Sequence, residues 1–271
     1  MKTLLLLVAW CSLAYADLPP AFVTMDRQDD SSRAGVEASY FEFRDTRSSS
    51  TLMRFDLHGQ YVDPSSGLGG YAQLPFSYAS GGGQTNKGVG DADVGVVYVP
   101  KLDSATTKLV AHLGLTLPTG SQGDNGLANL FAGLTRVDDL YLSLPRAITL
   151  RAGVSPVIRS GQLFARVDFG VDANLSVNGG SGSNRTADTI VHANAGLGGD
   201  FGALAIAAEV VNLYDTKSRS GSSNWVDAAA LAARFRAGDI SPYFAIVFPL
   251  DQATKDLMSS AITVGIETAL R

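Results

Sequence analysis

The chain has 271 residues, a formal net charge of −5 and a single cysteine. An acidic balance argues against nucleic acid as a partner, and one cysteine excludes a disulfide framework. Charged residues make up 17% of the chain, against about a quarter in soluble domains; the mean hydropathy is +0.11, yet no stretch approaches the roughly 18 uninterrupted apolar residues of a membrane-spanning helix.

The first residues read as an export signal. Lys2 is a positive start, Leu4 to Val8 with Ala9 and Leu13 form a short apolar stretch, and Ala14-Tyr15-Ala16 is a small-x-small cleavage site, which makes Asp17 the expected mature start. Cys11 is preceded by Trp10, not by the small residue that lipidation requires. Removing residues 1–16 takes away Lys2 and Cys11, leaving 20 basic against 26 acidic side chains and no thiol. Residues 17–32 then read as a periplasmic tail and 33–271 as the folded body.

From residue 33 onward the dominant pattern has period two. In the clearest run Leu163, Ala165, Val167, Phe169, Val171, Ala173, Leu175 and Val177 share one face, opposite Phe164, Arg166, Asp168, Gly170, Asp172, Asn174 and Ser176. Met53, Phe55, Leu57, Gly59 and Tyr61 oppose Arg54, Asp56, His58 and Gln60 in the same way, and Ile148, Leu150, Ala152, Val154, Pro156 and Ile158 oppose Thr149, Arg151, Gly153 and Ser155. This alternation predicts strands at 33–44, 51–62, 68–79, 89–99, 107–117, 147–158, 163–177, 189–199, 203–214, 225–235, 240–250 and 261–270. Globular strands average about five or six residues, whereas a tilted strand crossing a bilayer needs about nine to eleven.

The connections alternate in kind. Compact ones at 63–67, 100–106, 159–162, 200–202 and 236–239 follow even-numbered strands, and Gly/Ser-rich ones at 80–88, 178–188 and 215–224 follow odd-numbered strands. Short periplasmic turns and long external loops produce this parity in a bacterial outer-membrane barrel. The expected fold is therefore all-β: a closed antiparallel transmembrane β-barrel of about twelve strands. The same parity makes the stretch from Pro118 to Arg146 an external excursion. Its Leu127, Leu130, Phe131, Leu134, Val137 and Leu140 recur at helical spacing, which predicts a short amphipathic helix between Gly120 and Leu144 that either folds into the mouth or caps it. Tyr61, Tyr71, Tyr98 and Tyr243 near the periplasmic side, with Tyr78, Tyr214 and Trp225 near the outer side, match the aromatic girdles of such barrels.

Lipid accepts no hydrogen bonds, so the apolar face must point outward and the polar face into the lumen. The predicted lumen residues are Arg54, Asp56, His58, Gln60, Gln73, Asp91, Asp93, His112, Thr149, Arg151, Arg166, Asp168, Asp172, Asn174, His192, Asn194, Glu209 and Glu267. Both charge signs occur, so they read either as a polar solute pathway or as paired charges filling a narrow barrel. His58, His112 and His192 lie on three strands with no second ligand at metal-binding spacing. Lipid hydrolases built on twelve-stranded barrels need a serine close after the histidine, and here Ala193, Asn194, Ala195 and Gly196 follow His192; a G-x-S-x-G elbow is also absent. Gly88-Val89-Gly90-Asp91 with Asp93 is followed by no helix and no loop-closing glutamate, so it fits neither a phosphate loop nor a calcium loop. Asn184-Arg185-Thr186 matches a glycosylation sequon without meaning in a bacterial export context. No catalytic, cofactor or metal site is expected.

Gly88-Val89-Gly90-Asp91 with Gly95 and Tyr98, then Gly114-Leu115-Thr116-Leu117-Pro118-Thr119-Gly120, then Pro242-Tyr243, Phe248-Pro249-Leu250 and Thr263-Val264-Gly265-Ile266 occur in this order. The set resembles the outer-membrane family named for a putative meta-pathway of phenol degradation. That resemblance implies a transporter-like barrel passing small, often apolar or aromatic solutes, embedded in outer-membrane lipid and delivered by the outer-membrane assembly machinery. Such barrels commonly end on an aromatic residue; this chain ends Leu270-Arg271, with Ile262, Val264, Ile266, Thr268 and Leu270 keeping the alternation.

Overall fold

The structure, a computed structural model, describes residues 22–44, 50–121, 123–143, 147–176, 188–217 and 224–270. The expected cleavage site at Ala16 and Asp17 and the stretches 177–187 and 218–223 lie outside the described residues. The strands are β1 (Arg33–Glu42), β2 (Thr51–Val62), β3 (Leu68–Gly81), β4 (Gln84–Val89), β5 (Ala92–Tyr98), β6 (Thr107–Leu117), β7 (Ala147–Ser160), β8 (Leu163–Ser176), β9 (Asp188–Asp200), β10 (Leu204–Asp215), β11 (Trp225–Phe235), β12 (Ile240–Pro249) and β13 (Ala261–Ala269). Each pairs antiparallel with its neighbours, and β1 pairs with β13 through Arg33↔Ala269 to Tyr40↔Ile262, which closes the sheet. β4 and β5 both pair with β3, at Phe76↔Val89 and at Gln73↔Asp93. They are two halves of one stave, so the cylinder has twelve staves.

β4 corrects the expectation of a Gly/Ser-rich loop at 80–88. Gly82 and Gly83, with φ of 58° and 79°, make the two-residue turn that suits a twisted hairpin. The polar run Gln84-Thr85-Asn86-Lys87 continues the pairing with β3 beyond the barrel wall, where no apolar face is needed.

Outward residues are apolar along every stave, Phe55, Leu57, Val94, Leu113, Leu150, Phe169, Ile206, Leu231 and Val264 among them, and all are exposed at the outer face. Closure satisfies the backbone of both sheet edges, as a hydrocarbon surrounding requires. Tyr61, Tyr98 and Trp225 are exposed at the expected girdle positions, but Tyr71 and Tyr243 are buried inside. Both have inward parity and lie flat over cross-strand glycines, Gly95 and Gly265.

Two segments occupy the interior. The excursion between β6 and β7 forms helix α1 (Asp124–Ala132) and the 3-10 turns Gly133–Thr135 and Val137–Ser143. Its helical face differs from expectation: Leu127 is 52% exposed, while Gly126, Ala128, Asn129 and Ala132 are buried. The last turn then runs inside the barrel, with Val137, Asp138, Asp139, Tyr141, Leu142 and Ser143 buried. The second segment, Phe22 to Ser32, was expected as a periplasmic tail. Instead Val23, Thr24, Met25, Asp26, Gln28 and Asp29 are buried within the lumen before the chain enters β1. Its donors and charges are matched there by wall residues from many staves.

Candidate functional site

The break between β4 and β5 fixes the root of the excursion. The Asp91 N–H donates to the Leu142 carbonyl at 2.8 Å and the Ser121 N–H to the Val89 carbonyl at 2.7 Å. Asp91 Oδ1 accepts the Gly120 N–H at 2.6 Å, and Thr119 Oγ1 accepts the Ala92 N–H at 2.9 Å. Gly88-Val89-Gly90-Asp91 and Leu117-Pro118-Thr119-Gly120, far apart in sequence, thus meet as a splice between wall and excursion.

Beyond that splice the excursion presents two adjacent carboxylates to opposite walls. Asp139 Oδ2 accepts from Arg136 Nε at 2.6 Å, Gln73 Nε2 at 2.7 Å and Arg54 Nη2 at 3.2 Å, with Arg27 Nε 3.7 Å away. Burial alone would raise its pKa, but Arg136, Arg54 and Arg27 hold it below the usual carboxylate range. Asp138 Oδ1 accepts from Asn194 Nδ2 at 2.7 Å and lies 3.3 Å from His192 Nδ1. Tyr141 donates to Asp93 at 3.0 Å and stacks under the Arg151 guanidinium at 3.7 Å. Arg151 also reaches Asp172 at 3.1 Å.

The N-terminal segment is held from all sides. Glu209 accepts the backbone N–H groups of Val23 at 2.7 Å, Thr24 at 2.7 Å and Met25 at 2.9 Å, and the Thr24 hydroxyl at 2.8 Å. Asp26 Oδ2 lies 3.2 Å from His112 Nδ1, and Arg27 pairs with Glu37 at 3.0 Å. Arg166 donates to the Gln28 carbonyl at 2.9 Å and to Asp168 at 2.5 Å. Gln60 donates to the Asp29 carbonyl at 2.8 Å, and Arg33 pairs with Asp29. Arg136 Nη2 donates to the Met25 carbonyl at 2.6 Å, so the two inner segments are joined to each other. At the β1–β13 seam, Glu267 pairs with Arg33 at 3.4 Å, with His58 at 3.1 Å and with Arg234.

The residues named from the sequence as lumen-lining have buried side chains, Asp91 included. The three histidines do not converge. Each ring lies over its cross-strand glycine, His58 over Gly35, His112 over Gly153 and His192 over Gly170, and each faces an inner segment: Arg27, Asp26 and Asp138 respectively. Among the described residues no group of three or more His, Cys, Asp or Glu side chains could hold a metal ion. Sequence reasoning missed the partners these residues engage, Asp26, Arg27, Asp29, Arg136, Asp138, Asp139 and Tyr141. It also missed that the inner face of β10 to β12 is largely apolar, with Ala205, Ala207, Val211, Leu213, Ala228, Ala230, Ala232, Ala245 and Val247 buried.

Two interior spaces lie against the inner segments, one bordered by Phe22, Arg27, Glu37, Arg136 and Tyr243, the other by Arg27, Gln60, Tyr71 and Gln73. Each measures about 10 Å³, near the lower limit for one water. A pocket of about 190 Å³ lies at the external mouth between Phe43, Ala79, Leu127, Ala128 and Phe131. A shallow groove of about 690 Å³ lies on the lipid-facing wall over β1, β2, β3, β5 and β13, bordered by Val36, Leu57, Leu74, Val94 and Ile266, with His58, Gln73, Asp93 and Glu267 of this network at its floor.

A closed twelve-stave antiparallel cylinder with an apolar outer belt, no open edge and its charges inside is a β-barrel of the bacterial outer membrane. It is similar to the COG4313 outer membrane channel from Pseudomonas putida F1, with a TM-score of 0.63 and 12% identity over 94% of this chain and 100% of that one. It is also similar to the translocator domain of the autotransporter NalP from Neisseria meningitidis, with a TM-score of 0.51 and 10% identity over 89% of this chain and 90% of that one. No family model and no curated protein matches the sequence; the likeness to the phenol-degradation family rests on its short motifs, two of which form the splice at Asp91.

Proposed function

We propose that the protein is an outer-membrane channel or transporter that passes small, apolar or aromatic solutes without energy input, and that the structure is its closed state. One observation carries this reading: the lumen is occupied by two chain segments held by side-chain hydrogen bonds and ion pairs, not by strand pairing. Such segments can leave without unzipping the wall. The splice at Asp91 roots the excursion at the wall, so its inner turns swing from a fixed end. The mixed lining, charged on β2, β7 and β8 and apolar on β10 to β12, suits a solute with an apolar body and a polar end.

The test is conductance and solute uptake with residues 120–144 replaced by a short Gly/Ser linker. Loop length costs stability only slowly, so the variant is expected to fold and to show larger single-channel currents than the parent. A variant that migrates as a folded, heat-modifiable barrel yet stays silent in bilayers and impermeable in liposomes would refute the reading. That result would favour the second reading, a filled barrel with a structural or surface-interaction role, which the cavities of about 10 Å³ support.

A further inference from the structure

The grip of Glu209 on the N-terminal segment has the form of a ligand site. Glu209 is buried on β10, between Ala207 and Val211, and is the one buried charged side chain of that strand. Its cross-strand partners are Gly196 on β9 and Ala230 on β11. The wall around the carboxylate therefore lacks bulk, and the chain fills the room: a Cβ on Gly196 would sit 2.4 Å from the Phe22 ring and 2.8 Å from Met25 Sδ. Phe22 packs edge-on against Phe164 at 5.3 Å, Val23 shares a buried apolar cluster with Ala232, Tyr243 and Ala245, and Met25 belongs to the cluster that includes Val211, Ala228 and Ala230. What the site holds is an apolar body with a cluster of hydrogen-bond donors aimed at one carboxylate.

Among the described residues Glu209 has no cationic partner within 4 Å; its four acceptor contacts are all to neutral donors. A buried carboxylate without those donors is strongly unfavourable. Once the segment withdraws, its replacement must bring donors, and a positive charge would compensate the carboxylate as the segment does not. We propose that Glu209 is the anchor of an internal binding site that the N-terminal segment occupies as a surrogate ligand, and that the site takes small solutes with an apolar or aromatic body and a protonated amine. Binding of such a solute competes with the segment and loosens it. This inference rests on the reading of a solute-passing barrel and names the class of solute.

The probe is benzylammonium, compared with toluene and benzoate, on the full-length protein in lipid nanodiscs. The readout is hydrogen exchange at the Val23, Thr24 and Met25 amides, which needs no current. At about ten times its dissociation constant for the vacated site, a competitor multiplies the ratio of released to seated segment about elevenfold. Benzylammonium is therefore expected to accelerate exchange at those amides about tenfold and saturably, with toluene and benzoate leaving them slow and Glu209→Gln abolishing the response. Equal effects of the three compounds on the unsubstituted protein, or none from benzylammonium, would overturn the proposal whatever the variant does. Acceleration in a protein that stays silent in bilayers would uphold the site and refute the channel reading.

Discussion

Replacing Arg136 by alanine tests the latch between the two inner segments. The guanidinium is buried and donates to Asp139 Oδ2 at 2.6 Å and to the Met25 carbonyl at 2.6 Å. A hydrogen bond from a charged group is worth about 1.5–3 kcal/mol. Asp139 keeps Arg54, Gln73 and Arg27, so it is not orphaned, and the lower end applies to each bond. The closed state should then lose about 3 kcal/mol relative to a state in which both partners meet water, a shift of roughly 100-fold in the closed-to-open ratio. The assay is open probability in planar bilayers, with folding monitored by heat-modifiable migration. Arg136→Lys keeps the charge but cannot span both acceptors, so it should fall between parent and alanine variant. A folded Arg136→Ala barrel whose open probability matches the parent would show that the segments do not hold each other shut.

Phe169→Arg, on the outer face of β8 where it pairs with Val154 and Ala193, should cost about 2–4 kcal/mol in denaturant unfolding from lipid if the site lies near the bilayer midplane. Leu163→Arg at the start of the same strand should cost at most about 1 kcal/mol; equal costs would mean that the apolar belt is placed at the wrong height. Asp91→Ala removes the acceptor for the Gly120 N–H, and the expected result is faster protease cleavage within residues 120–143 with the barrel intact. Unchanged cleavage would locate the root of the excursion elsewhere.

The wall was legible because each stave carries an independent period-two record. β2 and β11 coincide with the predicted 51–62 and 225–235, since alternation on both sides of a turn leaves little freedom in register. β4 was not legible: Gln84, Thr85 and Lys87 are exposed polar residues, so no alternation marks them, and Gly82-Gly83 read as loop composition. The inner segments were hidden for a different reason. Asp26-Arg27-Gln28-Asp29 and Arg136, Asp138 and Asp139 read as solvated polar residues, and their burial depends on partners on β1, β2, β3, β6, β8 and β9 that local patterning cannot pair with them. In the excursion helical spacing marked Leu127 as core, but burial followed the small and polar residues Ala128, Asn129 and Ala132, with Asn129 bonded to Ser77 on β3 and to the Val89 carbonyl on β4. On β10 to β12 the inner face is itself largely apolar, so buried charge marks it only at Glu209 and Arg234.

Glu267 on the last strand draws together Arg33 of the first, His58 of the second and Arg234 of the eleventh. Before that strand arrives, the basic groups Arg33 and Arg234 have no common acceptor, and Arg33 begins the strand that the inner N-terminal segment leads into. The carboxylate works as a keystone. It enters only when the first and last strands meet, and in the same movement it neutralises the base of that segment. Sealing the cylinder and fixing the base of the inner segment are thereby coupled, and a Glu267→Gln barrel would close with Arg33 and Arg234 short of their shared carboxylate while Glu209, Glu37 and Gln60 still hold the segment.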